Sequence, residues 1–117
     1  MSIQSEQAVI GCILIDNNSL KICYHDLKIE MFSNKVLGFV YKRMLALHDN
    51  NRKINAPELI TVCKNQQLDD NQIAGIIAEC VKNTISSSEI KSHVENIISD
   101  YRVKVLKGLL QKKLDEL

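Results

Sequence analysis

The stretch that most constrains this fold is the last one, Ser86 to Leu117, which carries no proline and no glycine before Gly108. Ser86 followed by Glu89 is a capping-box pattern, in which the serine oxygen and the glutamate carboxylate each satisfy a backbone N–H at a helix start. At about 100° per residue, the apolar residues beyond it fall into two stripes. Ile90, Val94, Ile97, Ile98, Tyr101, Val105 and Leu109 share one side. Val103, Leu106, Leu110, Leu114 and Leu117 lie on roughly the opposite side. A helix that covers only its own domain needs one stripe. The first stripe is expected to dock onto the body of the protein, and the second to meet a surface that this sequence does not supply. At 1.5 Å per residue such a helix is about 45 Å long, whereas a domain of this size has a radius of gyration near 13 Å. Part of it should project and expose an apolar patch of the kind that marks interaction sites.

The remaining sequence sets the body. At 117 residues there is room for one domain with a real core, divided here into a helical body over 1–85 and the long helix over 86–117. The formal net charge is +1 and aromatic residues make up 4%, with no tryptophan. A strong nucleic-acid binder needs a basic balance, and a single-strand platform needs stacking rings. The apolar run Ala8 to Ile15 follows Glu6 rather than a basic segment and is too short to span a bilayer. The four cysteines (Cys12, Cys23, Cys63 and Cys80) show no paired spacing, which fits small buried hydrophobes rather than disulfides. The expectation is a cytoplasmic protein with no membrane contact.

Helical periodicity recurs along the chain. Ile3 to Ile15 is nearly continuously apolar after Glu6 and reads as a buried helix. Gly11 inside it costs about 1 kcal/mol relative to alanine, a cost that a close helix crossing would offset. Asp16-Asn17-Asn18 is a turn, and Asn18 is expected to cap a short helix from Ser19 to Tyr24. Ser33 or Asn34 should cap a third helix reaching about Asp49, with Val36, Leu37, Val40, Met44 and Leu47 as its stripe. Asn55 with Glu58, and Pro57 in the first turn, start a fourth helix that runs to about Asn65 and buries Leu59, Ile60 and Cys63. Gln66 to Asp70 is a loop, and a fifth helix spans about Asn71 to Val81 with Ile73, Ile76, Ile77, Cys80 and Val81 at helical spacing. No segment alternates at period two. All four glycines fall inside these helices, which suggests tight crossings. The fold expected is all-α: a compact bundle of about five short helices and a long C-terminal helix.

Chemistry is scarce. Cys23-Tyr24-His25 is the only near pair of metal-ligand types, short of the paired spacing a metal needs. Ser86-Ser87-Ser88 suits N-capping better than nucleophilic catalysis, which calls for an adjacent base and a glycine-containing turn. No glycine-rich turn ends in Gly-Lys-Ser/Thr, so phosphates cannot be cradled in the usual way. Arg102, Lys104, Lys107, Lys112 and Lys113 gather on the long helix, where a solvated polar surface explains them. The chain is expected to be non-catalytic, with no cofactor or metal site of its own.

The run Ser5-Glu6-Gln7-Ala8-Val9-Ile10-Gly11, leading to Leu14-Ile15-Asp16, resembles the opening of the N-terminal domain of DnaB-type bacterial replicative helicases. The resemblance continues in Met31-Phe32, in the apolar pattern from Val36 to Leu47, in Lys53-Ile54-Asn55, and in Ile97 and Leu106 set among basic positions. Departures are local. The family often carries a Gly-Gly loop near Asp69, Pro-Ser where this chain has Ile85-Ser86, Tyr where it has His93, and Arg around Lys104 and Val105. The resemblance implies an all-α domain whose long helix is the first arm of a helical hairpin. In that family the hairpins pair into a collar on a six-membered ring, which docks primase and the helicase loader and meets single-stranded DNA only as a ring. ATP and Mg would belong to a separate ATPase domain. On this basis Val103, Leu106, Leu110, Leu114 and Leu117 are the expected partner interface, facing the second hairpin helix or a neighbouring subunit. Ending at Leu117, the chain would be a piece of such a helicase. The competing expectation is a stand-alone helical adaptor of a replication protein, and a weaker one is a small helical DNA-binding protein.

Overall fold

An apolar run with almost no polar face has to be wrapped on all sides, and the first helix, α1 (Ile3–Ile15), is wrapped. In the computed structural model, which describes residues 3–64 and 68–117, α1 lies against α5 (Asp70–Lys82) and the first half of α6 (Ile90–Asp115). It also touches α3 (Lys35–Asp49). Val9, Ile10, Cys12 and Ile13 are completely buried. Gly11 marks the crossing with α5: a Cβ there would sit 2.6 Å from the carbonyl oxygen of Cys80 and would run into the Thr84 side chain. The close crossing expected from Gly11 is present. Gly75 and Gly108, by contrast, face open space. Glycine inside a helix is therefore not a uniform sign of tight packing in this protein.

Local capping chemistry sets where the elements begin. Asn34 caps α3, its side-chain oxygen accepting from the N–H groups of Val36 and Leu37 at 3.0 and 3.1 Å. The short helix α2 (Leu20–Cys23) is preceded by a 3₁₀ turn over Asn17–Ser19. There the capping oxygen comes from Asp16, which accepts from the Asn18 N–H at 3.0 Å, so Asn18 is capped rather than capping. Asn55 caps α4 (Ala56–Cys63) through the Glu58 N–H. Glu58 does not close the box, because its carboxylate turns to Arg52 at 2.6 Å. The full reciprocal box belongs to α5, where Asp69 and Gln72 exchange bonds of 2.8 and 3.0 Å. α4 ends at Cys63, with Lys64 as its C-cap; Asn65, to which it was expected to run, and the first two residues of the loop expected after it lie outside the described residues.

Two buried polar groups tie the helices together. Glu6, fully buried, accepts from the N–H groups of Ser33 and Asn34 at 3.1 and 3.0 Å and from the Ser33 hydroxyl at 2.5 Å. A carboxylate at the positive end of α3 offsets its own desolvation through these bonds. Tyr41 stacks on Phe32 with centroids 4.9 Å apart and donates its hydroxyl to the Leu27 carbonyl at 2.8 Å. Asn17 does related work nearer the surface. Its amide donates to the carbonyls of Ile13 and Ile54 and accepts from the Ile54 N–H, each at 2.9 Å, which fixes the strand-like approach to α4 onto the end of α1.

Six α-helices and no strand occur among the described residues. The expected all-α bundle with a long last helix is what the chain forms. All four cysteines are free and buried, and burial pushes the Cys63 and Cys80 thiols up to about 11 and about 12. Among the described residues no helix is long and apolar enough to cross a membrane. The molecule measures 53 × 34 × 26 Å with a radius of gyration of 15.2 Å, above the roughly 13 Å of a compact domain of this length. The excess comes from α6.

Candidate partner interface

The long helix begins later than its capping pattern suggests. Ser86 caps a 3₁₀ turn over Ser87–Glu89 through the Ser88 N–H at 3.0 Å, and α6 proper starts at Ile90. Glu89 returns no bond to the cap, and its carboxylate lies 3.8 Å from the imidazole of His93. The other His93 nitrogen is 3.2 Å from the Ser5 hydroxyl, which also accepts from Asn96 at 3.3 Å. These contacts clip the start of α6 across the first turn of α1.

From there the helix divides. Ile90, Val94 and Ile97 are buried, Ile98 and Tyr101 are half-buried, and every residue from Arg102 onward is exposed. Val105 and Leu109, expected to dock, do not: they are 43% and 57% exposed. The reason is visible on the helix surface at about 100° per residue. The face that presents Ile90, Val94, Ile97 and Tyr101 continues with Lys104, Gly108, Lys112 and Asp115. Its apolar supply ends at Tyr101, and α6 leaves the body as a free arm.

The five residues expected to meet a partner all lie on that arm. Val103 is 48% exposed, Leu106 and Leu110 58%, Leu114 62% and Leu117 101%. Val105 and Leu109 widen the apolar face. At the root of the arm, α6 and the 3₁₀ turn Ile29–Met31 enclose a crevice of about 390 Å³. Met31, Phe32, Tyr101 and Val103 line it, with Glu30, Asp100, Lys104 and Lys107 at its polar parts. The five basic side chains of the arm are spread around the helix rather than collected on one face. The stripe is exposed, as its spacing leads one to expect. Sequence reasoning missed the crevice, whose walls are about 70 residues apart in sequence.

Other expected chemistry separates in space. Cys23 points its thiol at the carbonyls of Ser19 and Leu20 inside the core, while His25 is exposed and stands edge-on to Tyr24 at 5.3 Å. No group of three potential metal ligands comes together among the described residues. A second apolar spot, not singled out from sequence, lies at Ile85, which is 94% exposed beside a groove also lined by Ile3, Gln4 and His93.

Compared with known families, residues 1–99 match the DnaB-like helicase N-terminal domain. No curated protein matches the chain. The match takes in the body and the docked part of α6. The exposed apolar residues of the arm all lie beyond it.

Proposed function

Because this chain belongs to the DnaB-like helicase N-terminal domain family, we propose that it acts as the non-catalytic N-terminal collar of a replicative DNA helicase. In that role it associates subunits and docks primase and the helicase loader, while ATP-driven unwinding resides in a separate ATPase domain. The body over 1–85 and the helix over 86–117 work as one domain, since the start of α6 is part of the core.

One observation carries the assembly role: α6 leaves a well-packed body with Val103, Leu106, Leu110, Leu114 and Leu117 uncovered. A run of large aliphatic side chains on one face of a projecting helix is costly in water and is the ordinary signature of a helix awaiting another helix. The body needs none of these residues for its own core.

The test uses the full-length helicase. The double substitution Leu106→Glu and Leu110→Glu is expected to shift sedimentation from rings to smaller species and to lower unwinding with them. Rings that persist at wild-type concentration dependence would overturn the assembly role.

A further inference from the structure

Between α1, the start of α3 and α5 lies a groove of about 600 Å³ that the assembly role does not use. Its polar wall is made of primary amides, and three of them are pinned by their oxygens. Asn34 Oδ1 accepts from the N–H groups of Val36 and Leu37, Gln72 Oε1 from that of Asp69, and Gln7 Oε1 from the Asn83 amide. What stays free in each is the amide nitrogen. Among the described residues none of these three nitrogens donates to the protein, and the Asn71 side chain on the same wall makes no hydrogen bond. The groove therefore presents donors and calls for acceptors.

Charge narrows which acceptors fit. Glu79 is the only charged residue among the described residues that line the groove. Its carboxylate repels phosphates and carboxylates, which leaves neutral carbonyls as the matching acceptors, and it favours a cation at its own end. Half-buried Val36 and Ile76 beside buried Leu37 supply an apolar floor.

Gly75 adds the last constraint. A glycine in the middle of a helix costs about 1 kcal/mol relative to alanine, and at Gly11 and Gly38 a neighbour in the chain accounts for it. At Gly75 a Cβ would meet nothing within 4 Å, and the residue is exposed on the groove wall. Bare helix backbone at that point lets another main chain approach closely. From Asn71 to Glu79 the wall runs about 12 Å, which an extended chain covers with about four residues.

We propose that this groove holds a short extended segment of a partner protein. Its backbone carbonyls accept from the amides of Gln7, Asn34 and Gln72, its main chain lies against Gly75, and a Lys or Arg side chain at one end faces Glu79. The site is separate from the arm of α6 and stands or falls independently of the assembly role.

The test is selection from a random heptapeptide library on phage by the immobilised 117-residue chain. An end-blocked synthetic copy of an enriched sequence is then titrated into the isotope-labelled chain and followed by NMR. Enriched sequences are expected to pair a Lys or Arg with an apolar residue, and the signals of Asn71, Gln72 and Gly75 should shift. Gly75→Leu fills the approach and should weaken binding by about 10-fold or more. Its melting temperature should not fall, because leucine favours a helix over glycine. Glu79→Gln should weaken binding by about 2- to 5-fold, and Glu79→Lys should turn the selection toward Asp and Glu. No enriched sequence, an acidic consensus for the unsubstituted chain, shifts confined to α6, or binding indifferent to Gly75→Leu would each overturn the proposal. A change in sedimenting mass on Gly75→Leu would overturn it too, by placing a second copy in the groove.

Discussion

Helix α1 and the distal half of α6 are both rich in aliphatic residues, yet they have opposite fates. Eight of the thirteen residues of α1 are buried, whereas no residue of α6 after Tyr101 is buried or even half-buried. Apolar content alone does not distinguish them. What differs is the polar residue set among the apolar ones. In α1, Glu6 finds three donors at the start of α3 and Gly11 lets α5 approach its backbone. In the arm, Lys104, Gly108 and Lys112 occupy the side that would have to continue the docking. Burial is specified by the few residues that answer a particular neighbour, and after Tyr101 α6 presents no such residue to the body.

That contrast can be broken most sharply at Glu6. Glu6→Ala leaves two backbone N–H groups and a hydroxyl facing an emptied buried site, and should cost about 3–5 kcal/mol of stability. Urea unfolding measures it. A loss under about 1 kcal/mol would mean that water replaces the carboxylate and that α1 is not fixed to α3 through this residue.

Alkaline pH probes the same wrapped region through its thiols. Cys63 and Cys80 titrate in the folded protein at about 11 and about 12, above their ordinary value of 9.0, because burial disfavours the thiolate. The folded state therefore holds these protons more tightly than the unfolded one. The associated stability is fully present below about pH 9 and is lost as pH rises toward 11 and 12, at about 1.4 kcal/mol per pH unit for each thiol. Thermal melts across that window should fall steeply. Cys63→Ala and Cys80→Ala should flatten the slope even though each lowers stability at neutral pH.

A smaller effect sharpens the comparison, because one substitution should change sign between the two helices. Gly11→Ala pushes a methyl group into the α5 backbone and should destabilise by about 1–3 kcal/mol. Gly108→Ala meets nothing within 4 Å and should raise the helicity of the arm, worth about 1 kcal/mol locally. Far-ultraviolet circular dichroism and melting temperature separate the two. Equal signs would mean that the arm is not a free helix.

The fold was legible wherever periodicity and a local cap agree. The third and fifth helices fall within a residue or two of their expected ends, with Asn34 and Asn55 capping as their positions suggest. The misses share a cause. Asp16, Asn17 and Asn18 are all competent caps, and only the direction in which the chain turns selects Asp16. Glu6 reads as an ordinary first-turn acid because its partners are backbone groups 27 and 28 positions away. Periodicity sends Val105 and Leu109 to the docking side because it gives the side a residue faces, not how far the body extends beneath it. The stripe ending at Leu117 was readable for a related reason: an exposed face depends on no contact elsewhere in the chain.

The position of α1 at the centre also bears on how the protein is made. This helix is made before the rest of the fold described here, yet the surfaces that cover it are α5 and the turns of α6 up to Ile97. At about 5–20 residues per second, roughly 4–16 seconds of synthesis separate Ile15 from Ile97. Over that interval its neighbours arrive in order: the 3₁₀ turn Asn17–Ser19, then α3, then α5, and last the start of α6. The last core residue to be translated closes the bundle, and the arm emerges only after the body it projects from can exist.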